Sequence, residues 1–247
     1  ADVRATYRVQ SPELKARLLR QRANWPSIAL QVANHARGRV IVIVFDKLLN
    51  LGGKTFEYIF EPVLQNKSSL FYSLNLHRFV MNAMYGVLRS SDQPVAVIAA
   101  ELQQFMKTFR PEDAPSIFQR LGAQDEGSVI LDCVLRFSRG YAPIIEDRTA
   151  HLRDDDTAKW TLDLTTTALF NLLFMGFGHR HDVLDVLCDD SKPLKAAAEC
   201  FNGFVGRNET TSVTDGTRET EIKGNLAGPL RLGSSAANPT LQIADVI

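Results

Sequence analysis

The sequence predicts an α/β protein, on three observations. Six apolar residues from Val40 to Phe45 are dominated by β-branched side chains and lack polar alternation, as a strand covered on both faces does. A second short apolar run, Val183 to Leu187, closes in Cys188, Asp189 and Asp190. The rest of the chain is heavily helical in its spacing, more so than one central sheet needs. That surplus predicts a mainly helical insertion at about 68–178 within a single domain spanning 1–247.

In chain order, Ser11, Pro12 and Glu13 make a helix start for the segment that runs on to Asn24, with a capping hydroxyl, proline at the first position and an early carboxylate. Leu14, Leu18 and Leu19 form its apolar stripe. Lys15, Arg17, Arg20 and Arg22 form a charged face, either solvated or in contact with phosphate. Trp25 and Pro26 break the pattern, and SIALQVANH reads as a second short helix. Gly38 to Lys47 is the clearest strand. It ends in Asp46, at the strand edge where α/β folds usually place their chemistry.

Gly52 to Leu88 is expected to be helical, with an interruption at Pro62. A longer helix capped by Ser68 or Ser69 carries Leu70, Leu74, Phe79, Met84 and Leu88, and is expected to be buried on more than one side. The apolar stretch between Leu70 and Phe109 is also the expected homodimer surface. Further helices are predicted over VAVIAAELQQFMKTFR, over ILDCVLRFSRGY (ended by Gly140 and Pro143) and over WTLDLTTTALFNLLFMGFGHR. EDRTAHLRDDDTAKW between the last two is an expected exposed loop. KAAAECFNGFVG then forms a helix, Thr210 to Gly224 is polar and turn-rich, and TLQIADVI begins a helix after Pro239.

Composition narrows the partners. The 28 Lys and Arg balance 28 Asp and Glu, which excludes a generic basic nucleic-acid coat and an acidic tail. A local basic groove survives that argument, because it needs only a few phosphate contacts. The 3 cysteines, an odd number with no CxxC pair, read as reduced thiols of a cytoplasmic protein. No apolar run is long enough for a membrane span, and ADVRATYRVQ is not a signal peptide.

Chemistry concentrates at separate acidic points. Asp46 closes one apolar run, Asp189 and Asp190 close another, and Asp245 lies among Ile243, Ala244, Val246 and Ile247. Converging carboxylates of this kind form a hard-oxygen site suited to Mg²⁺ or Mn²⁺. The ordinary alternatives are an N-cap for Asp46, a capping turn before Ser191 and Pro193 for Asp189 and Asp190, and an exposed helix face for Asp245. His179, His181 and Asp182 could bind zinc, but no further ligand has a recognised spacing. His77 and Arg78 stand inside an apolar helix, as a satisfied network or as groups facing a site. LGGKTF lacks the glycine spacing of a phosphate loop, and neither GxSxG nor HExxH occurs.

Several of these segments together resemble one family. The ending SSAANPTLQIADVI is similar to the C-terminal signature of the domain-of-unknown-function family 3800, whose members end with a Ser, a Pro and then Leu-Gln-x-Ala-Asp. SPELKARLL, VIVIVFDK, KTFEYIFEPVL, LNLHRFV and VLCDDSKPL match it in the same order. The resemblance implies an RNase-H-like fold, a mixed five-stranded sheet flanked by helices, with an acidic metal site of the nuclease type. It implies catalytic roles for Asp46, Asp189, Asp190 and Asp245, with Asp46, Asp189 and Asp245 as metal ligands. Gln242 would line the cleft, Lys47 would contact phosphate, and His77 and Arg78 would complete the substrate side. Family members begin with a strand carrying Asp-Glu-Ser-Gly, whereas ADVRATYRVQ offers only Asp2 and no glycine. The expectation is therefore a missing N-terminal strand and a last helix cut short at Ile247.

The leading functional expectation is metal-dependent phosphodiester hydrolysis of DNA or RNA, incomplete in this chain. The alternative is a catalytically silent nucleic-acid-binding or protein-interaction module, and a small-molecule hydrolase on the same metal site also stays open.

Overall fold

Proline and glycine decide several element boundaries in the computed structural model, which describes residues 3–9, 14–90, 92–119, 128–214 and 219–246. The expected cap at Ser11, Pro12 and Glu13 lies outside these residues, as does Asp2. After two short helical turns, Val3–Tyr7 and Ala16–Leu19, come α1 (Trp25–Ala36) and α2 (Lys47–Thr55). α2 runs on through a π-helical turn, Phe56–Phe60, into Glu61–Leu64, and a short helix follows at Ser68–Ser73. Next are α3 (Leu76–Leu88), α4 (Gln93–Thr108), α5 (Val129–Gly140) and α6 (Ala142–Thr149). A helix at Thr165–Phe170 passes into a π-helical stretch, Asn171–Phe177. The last part holds β1 (Leu187–Asp189), α7 (Lys192–Asn202), β2 (Glu209–Thr214), β3 (Glu219–Gly224), β4 (Arg231–Gly233) and α8 (Pro239–Val246).

The class is α/β, mostly helical, with small sheets. β1 pairs in parallel with β4, Cys188 opposite Leu232, while β2 and β3 form a separate two-stranded sheet. No described helix is long and apolar enough to cross a membrane. Pro26 and Pro143, expected to break helices, instead open α1 and α6. A first-turn N–H has no intrahelical partner, so proline there sacrifices nothing.

The clearest predicted strand is the main correction. Val40 to Phe45 forms no strand, and none of its backbone groups bonds to the backbone of another described residue. It is not covered on both faces either, since Val42 is 60% and Val44 89% exposed. β-branched composition supplies propensity, but a strand needs a neighbour.

The chain divides into two compact units, Ala1–Ile43 with Thr165–Thr211 and Glu221–Ile247, and Val44–Leu164 with Ser212–Thr220. The second unit is helical and has one connected core, including Phe56, Met84, Phe105, Met106, Phe109 and Leu131. Gly52 lets α2 and α3 close together, because a Cβ there would meet the Met81 carbonyl oxygen at 2.6 Å. The glycines of LGGKTF therefore serve helix packing. Phe60 stacks on Phe137 at 4.5 Å between ring centroids, and Tyr58 meets Phe109 edge-on at 5.0 Å.

The long helix expected from Ser68 is broken. Asn75 takes a left-handed backbone, φ 58°, which asparagine tolerates better than most residues. Met84 and Leu88 are buried as expected, but Leu70, Leu74 and Phe79 are exposed. The stretch EDRTAHLRDDDTAKW is likewise not all loop. α6 extends to Thr149, and Ala158 is buried.

In the first unit the core is divided. Leu14, Leu19, Ile28 and Val32 form one cluster, and Leu173, Phe174, Leu184, Phe201 and Leu226 form another. β2 was hidden in the sequence because all six of its residues are exposed, so no apolar alternation marks it.

Candidate functional site

Two of the expected site residues, Asp189 and Gln242, are joined through Ser235 in the first unit. Asp189 ends β1, its side chain exposed beyond the buried Cys188. Its Oδ1 accepts from the Ser235 backbone N–H at 3.1 Å. The carbonyl of the same Ser235 accepts from Gln242 Nε2 at 2.7 Å. Gln242, on α8, is only 2% exposed, so its amide needs partners for every polar atom. Its Oε1 accepts from Arg4 Nη2 at 2.6 Å and from the Leu14 backbone N–H at 3.1 Å. A chain of contacts thus runs from the strand-end carboxylate through the buried amide to a guanidinium.

The neighbourhood is cationic. From Val3 to Ile43 the sequence carries eight Lys and Arg against one carboxylate, Glu13. Arg17 and Arg20 are exposed, whereas Arg22 donates from Nη2 to the Tyr7 carbonyl at 2.9 Å and so braces the segment. A cavity of about 510 Å³ is lined by Arg4, Leu14, Val32, His35, Gln242 and Ile243, among others.

The other acidic candidates divide. Asp190 pairs with Lys195 Nζ at 2.6 Å, on an exposed surface where such pairs contribute little. Ser191 caps α7, accepting from the Leu194 N–H at 3.2 Å, as the capping-turn alternative expected. Asp245 lies one turn beyond Gln242 in α8, and its side chain is outside the described residues.

Asp46 belongs to the second unit and caps α2. Its Oδ1 accepts from the N–H groups of Leu48 and Leu49 at 2.8 and 3.1 Å. Its Oδ2 accepts from the Tyr85 hydroxyl at 2.9 Å. The Leu49 N–H, then Tyr85, hold its carboxyl below the ordinary carboxylate value, since each bond favours the charged form. Lys47, the first residue of α2, is exposed beside a cavity of about 210 Å³ that Asn50, Gln103 and Asp163 also line. His77 is half-buried, 4.7 Å from Tyr72 and 6.1 Å from Phe56 between ring centroids. Half-buried Arg78 accepts at its backbone carbonyl from Asn82 Nδ2 at 2.8 Å.

Among the described residues, no group of three or more His, Cys, Asp or Glu could hold a metal ion. That includes the His179 and His181 loop. There His179 Nε2 lies 3.1 Å from the Glu221 carbonyl, and Asn225 Nδ2 donates to the carbonyls of Gly178 and His181 at 3.2 and 2.7 Å. The loop is fastened by a buried amide.

Sequence reasoning missed Arg4 and Ser235. Ser235 acts through its backbone, which leaves no residue-type signal, whereas Arg4 was legible only as one of several basic residues near the start of the chain. It also missed Glu61, whose carboxyl is raised by burial and accepts from the Tyr72 hydroxyl at 3.2 Å. Burial in turn pushes the Tyr72 phenol up to about 12. The three cysteines are free, Cys188 buried and Cys133 and Cys200 exposed.

A scan of protein-family models, a search of curated proteins and a search of solved structures each found no match to this chain.

Proposed function

We propose that this chain carries out, or carries most of the apparatus for, metal-dependent phosphodiester hydrolysis of DNA or RNA. The proposal keeps the RNase-H-like reading of its resemblance to family 3800. The observation that carries it is the meeting of Asp189 and Gln242 on Ser235, with Arg4 bonded to the same glutamine. A carboxylate at the end of a parallel strand, beside a predominantly basic segment, suits a phosphate ester.

The described carboxylates do not by themselves complete a metal site. The ligands proposed for Mg²⁺ or Mn²⁺ are Asp189 and, one turn past Gln242, Asp245. Asp46 is left out, because its two oxygens already accept three hydrogen bonds. An ion bound there would activate water and stabilise the leaving oxygen. The chain's own part is narrower. Gln242 fixes the Ser235 peptide that orients Asp189, and Arg17 and Arg20 offer exposed charge to the backbone of a nucleic acid.

The test is cleavage of labelled single- and double-stranded DNA and RNA, with Mg²⁺, with Mn²⁺ and with a chelator. Asp189→Asn and Asp245→Asn should each lower the metal-dependent rate by at least about 100-fold. Calorimetric titration with Mn²⁺ should show weaker binding in both variants. Unchanged cleavage in Asp189→Asn would overturn the assignment.

A second reading is favoured by the engaged oxygens of Asp46 and the pairing of Asp190 with Lys195. Here the chain binds nucleic acid without cutting it. Filter binding that is equal with and without Mg²⁺, with no product formed, selects this reading, and failure to bind DNA or RNA rejects both.

A further inference from the structure

We infer that the nucleic acid taken by this chain is single-stranded, its unpaired bases seated against α1 in two cavities that meet at His35. The inference rests on the nucleic-acid reading above and on none of its metal chemistry.

α1 has an open side without charge. WPSIALQVANHA contains no Asp, Glu, Lys or Arg, whereas the outer face of a surface helix ordinarily carries charged residues. Its inner stripe is buried at Ile28 and Val32. Beside that stripe, Ser27, Leu30, Gln31, Asn34 and His35 recur at the three- and four-residue spacing of a single helix face. With Tyr7 they line a cavity of about 470 Å³. Leu30 is 63% exposed, and Ser27, Asn34 and His35 are exposed too. The Tyr7 hydroxyl donates to the Ser27 carbonyl at 3.2 Å, and its side chain packs on the Ile28 and Val32 cluster, so this aromatic wall is fixed. His35 also lines the cavity of about 510 Å³, with Arg4, Gln242 and Ile243.

The lining chemistry selects the ligand. A hydroxyl, amides and an imidazole offer hydrogen bonds to base edges, while tyrosine and leucine offer apolar walls to base faces, as single-strand sites do. Charge stands at the ends of the face. Arg22 donates to the Tyr7 carbonyl at 2.9 Å, Arg8 follows Tyr7, and Arg37 and Arg39 follow α1. That division gives phosphates to arginine and bases to the helix.

Shape excludes the duplex. A helix reads paired bases by entering the major groove, about 12 Å wide, which a helix about 10–12 Å across fills by itself. The Val3–Tyr7 turn and α8 both pack against α1. Tyr7 stands on one side of His35, and Pro239 and Ile243 stand on the other. So flanked, α1 cannot enter a groove, whereas bases that have left a stack can enter the cavities.

Fluorescence anisotropy in the presence of a chelator compares labelled single strands of DNA and of RNA, about 15 nucleotides long, with the matching duplexes. The single strands should bind at least about tenfold more tightly. Leu30→Asp should weaken their binding at least about tenfold, with the circular dichroism and the Tm unchanged because Leu30 is exposed. A 5-iodouracil base in the strand should photocross-link to Tyr7 or His35. Equal or tighter duplex binding overturns the inference. So do a Leu30→Asp variant that binds like the parent, cross-links confined to other residues, or binding of polyglutamate in place of either nucleic acid. Cleavage with metal is scored separately. Preference for single strands without any product leaves this inference standing and rejects hydrolysis, whereas metal-dependent cutting without that preference does the reverse.

Discussion

The two units are held together differently. In the second, buried aliphatic side chains with Phe56, Phe105, Phe109 and Phe118 form one connected cluster. In the first, four buried aliphatic residues and a separate Phe- and Leu-based group do the same work in two pieces. Burial gain scales with apolar area, and a vacancy in a continuous core is lined by more partners that cannot collapse. The helical unit therefore concentrates its stability, while the other distributes it among small clusters and polar fastenings such as Asn225. The chemistry proposed here lies with the distributed unit, in keeping with sites whose precision comes from hydrogen bonds rather than bulk packing.

The largest expected effect is at Phe105, which is fully buried. Phe105→Ala should cost about 3–5 kcal/mol, read as a fall in the urea midpoint at constant slope. Leu19→Ala, in the four-residue cluster, should cost about 2 kcal/mol, the low end for such truncations. Equal losses would erase the contrast between the cores. Next come the close approaches, one in each unit. At Gly178 a Cβ would meet the Lys223 carbonyl oxygen at 2.5 Å and that of Leu173 at 2.9 Å. Backbone atoms cannot move aside as a flexible side chain can, so Gly52→Ala and Gly178→Ala should each cost about 1–3 kcal/mol. An unchanged midpoint in Gly52→Ala would mean that α2 and α3 do not need their close contact.

Most helices were legible because their apolar spacing and their prolines are local. α4, α5, α7 and α8 lie where the periodicity predicts them, to within a turn. What misled was whatever depends on a distant partner. Val40 to Phe45 has the composition of a central strand, but pairing is a property of two segments and only one of them is visible in a local pattern. β2 failed in the opposite sense, being a strand with no buried face. At the site, residue types pointed to Asp189 and Gln242, while their meeting on the backbone of Ser235 has no sequence signature. For Asp46 the residue type was informative and its job was ambiguous, since the same carboxylate at a strand end can cap a helix or bind a cation.

An effect of similar size but more local reach is expected where the first unit relies on polar contacts. Asn225 is fully buried and donates to two carbonyls of the 178–181 loop. Asn225→Ala strands both oxygens, at a cost of about 1–3 kcal/mol. Because the damage is local, hydrogen exchange should rise first at residues 178–184. Uniform loss of protection instead would show that the loop is integral to the core it borders.

The smallest effect is expected at Asp46, and its sign with pH separates a cap from a metal ligand. Asparagine caps helices about as well as aspartate, so Asp46→Asn keeps the bonds to Leu48 and Leu49, removes the charge and replaces the oxygen that accepts from Tyr85 with an amide NH2. The native carboxyl titrates below its ordinary value of 3.8 because N–H and O–H donors favour its ionised form. A depressed native value contributes stability that is fully present above the unfolded value and is lost as pH falls through the native one. The Tm gap between wild type and Asp46→Asn should thus be constant from about pH 7 to 5 and close as pH falls below the ordinary carboxylate value. Metal-dependent cleavage should be the same in both proteins at neutral pH. A Tm gap that ignores pH, or a loss of cleavage without a loss of stability, would return Asp46 from the helix terminus to the metal.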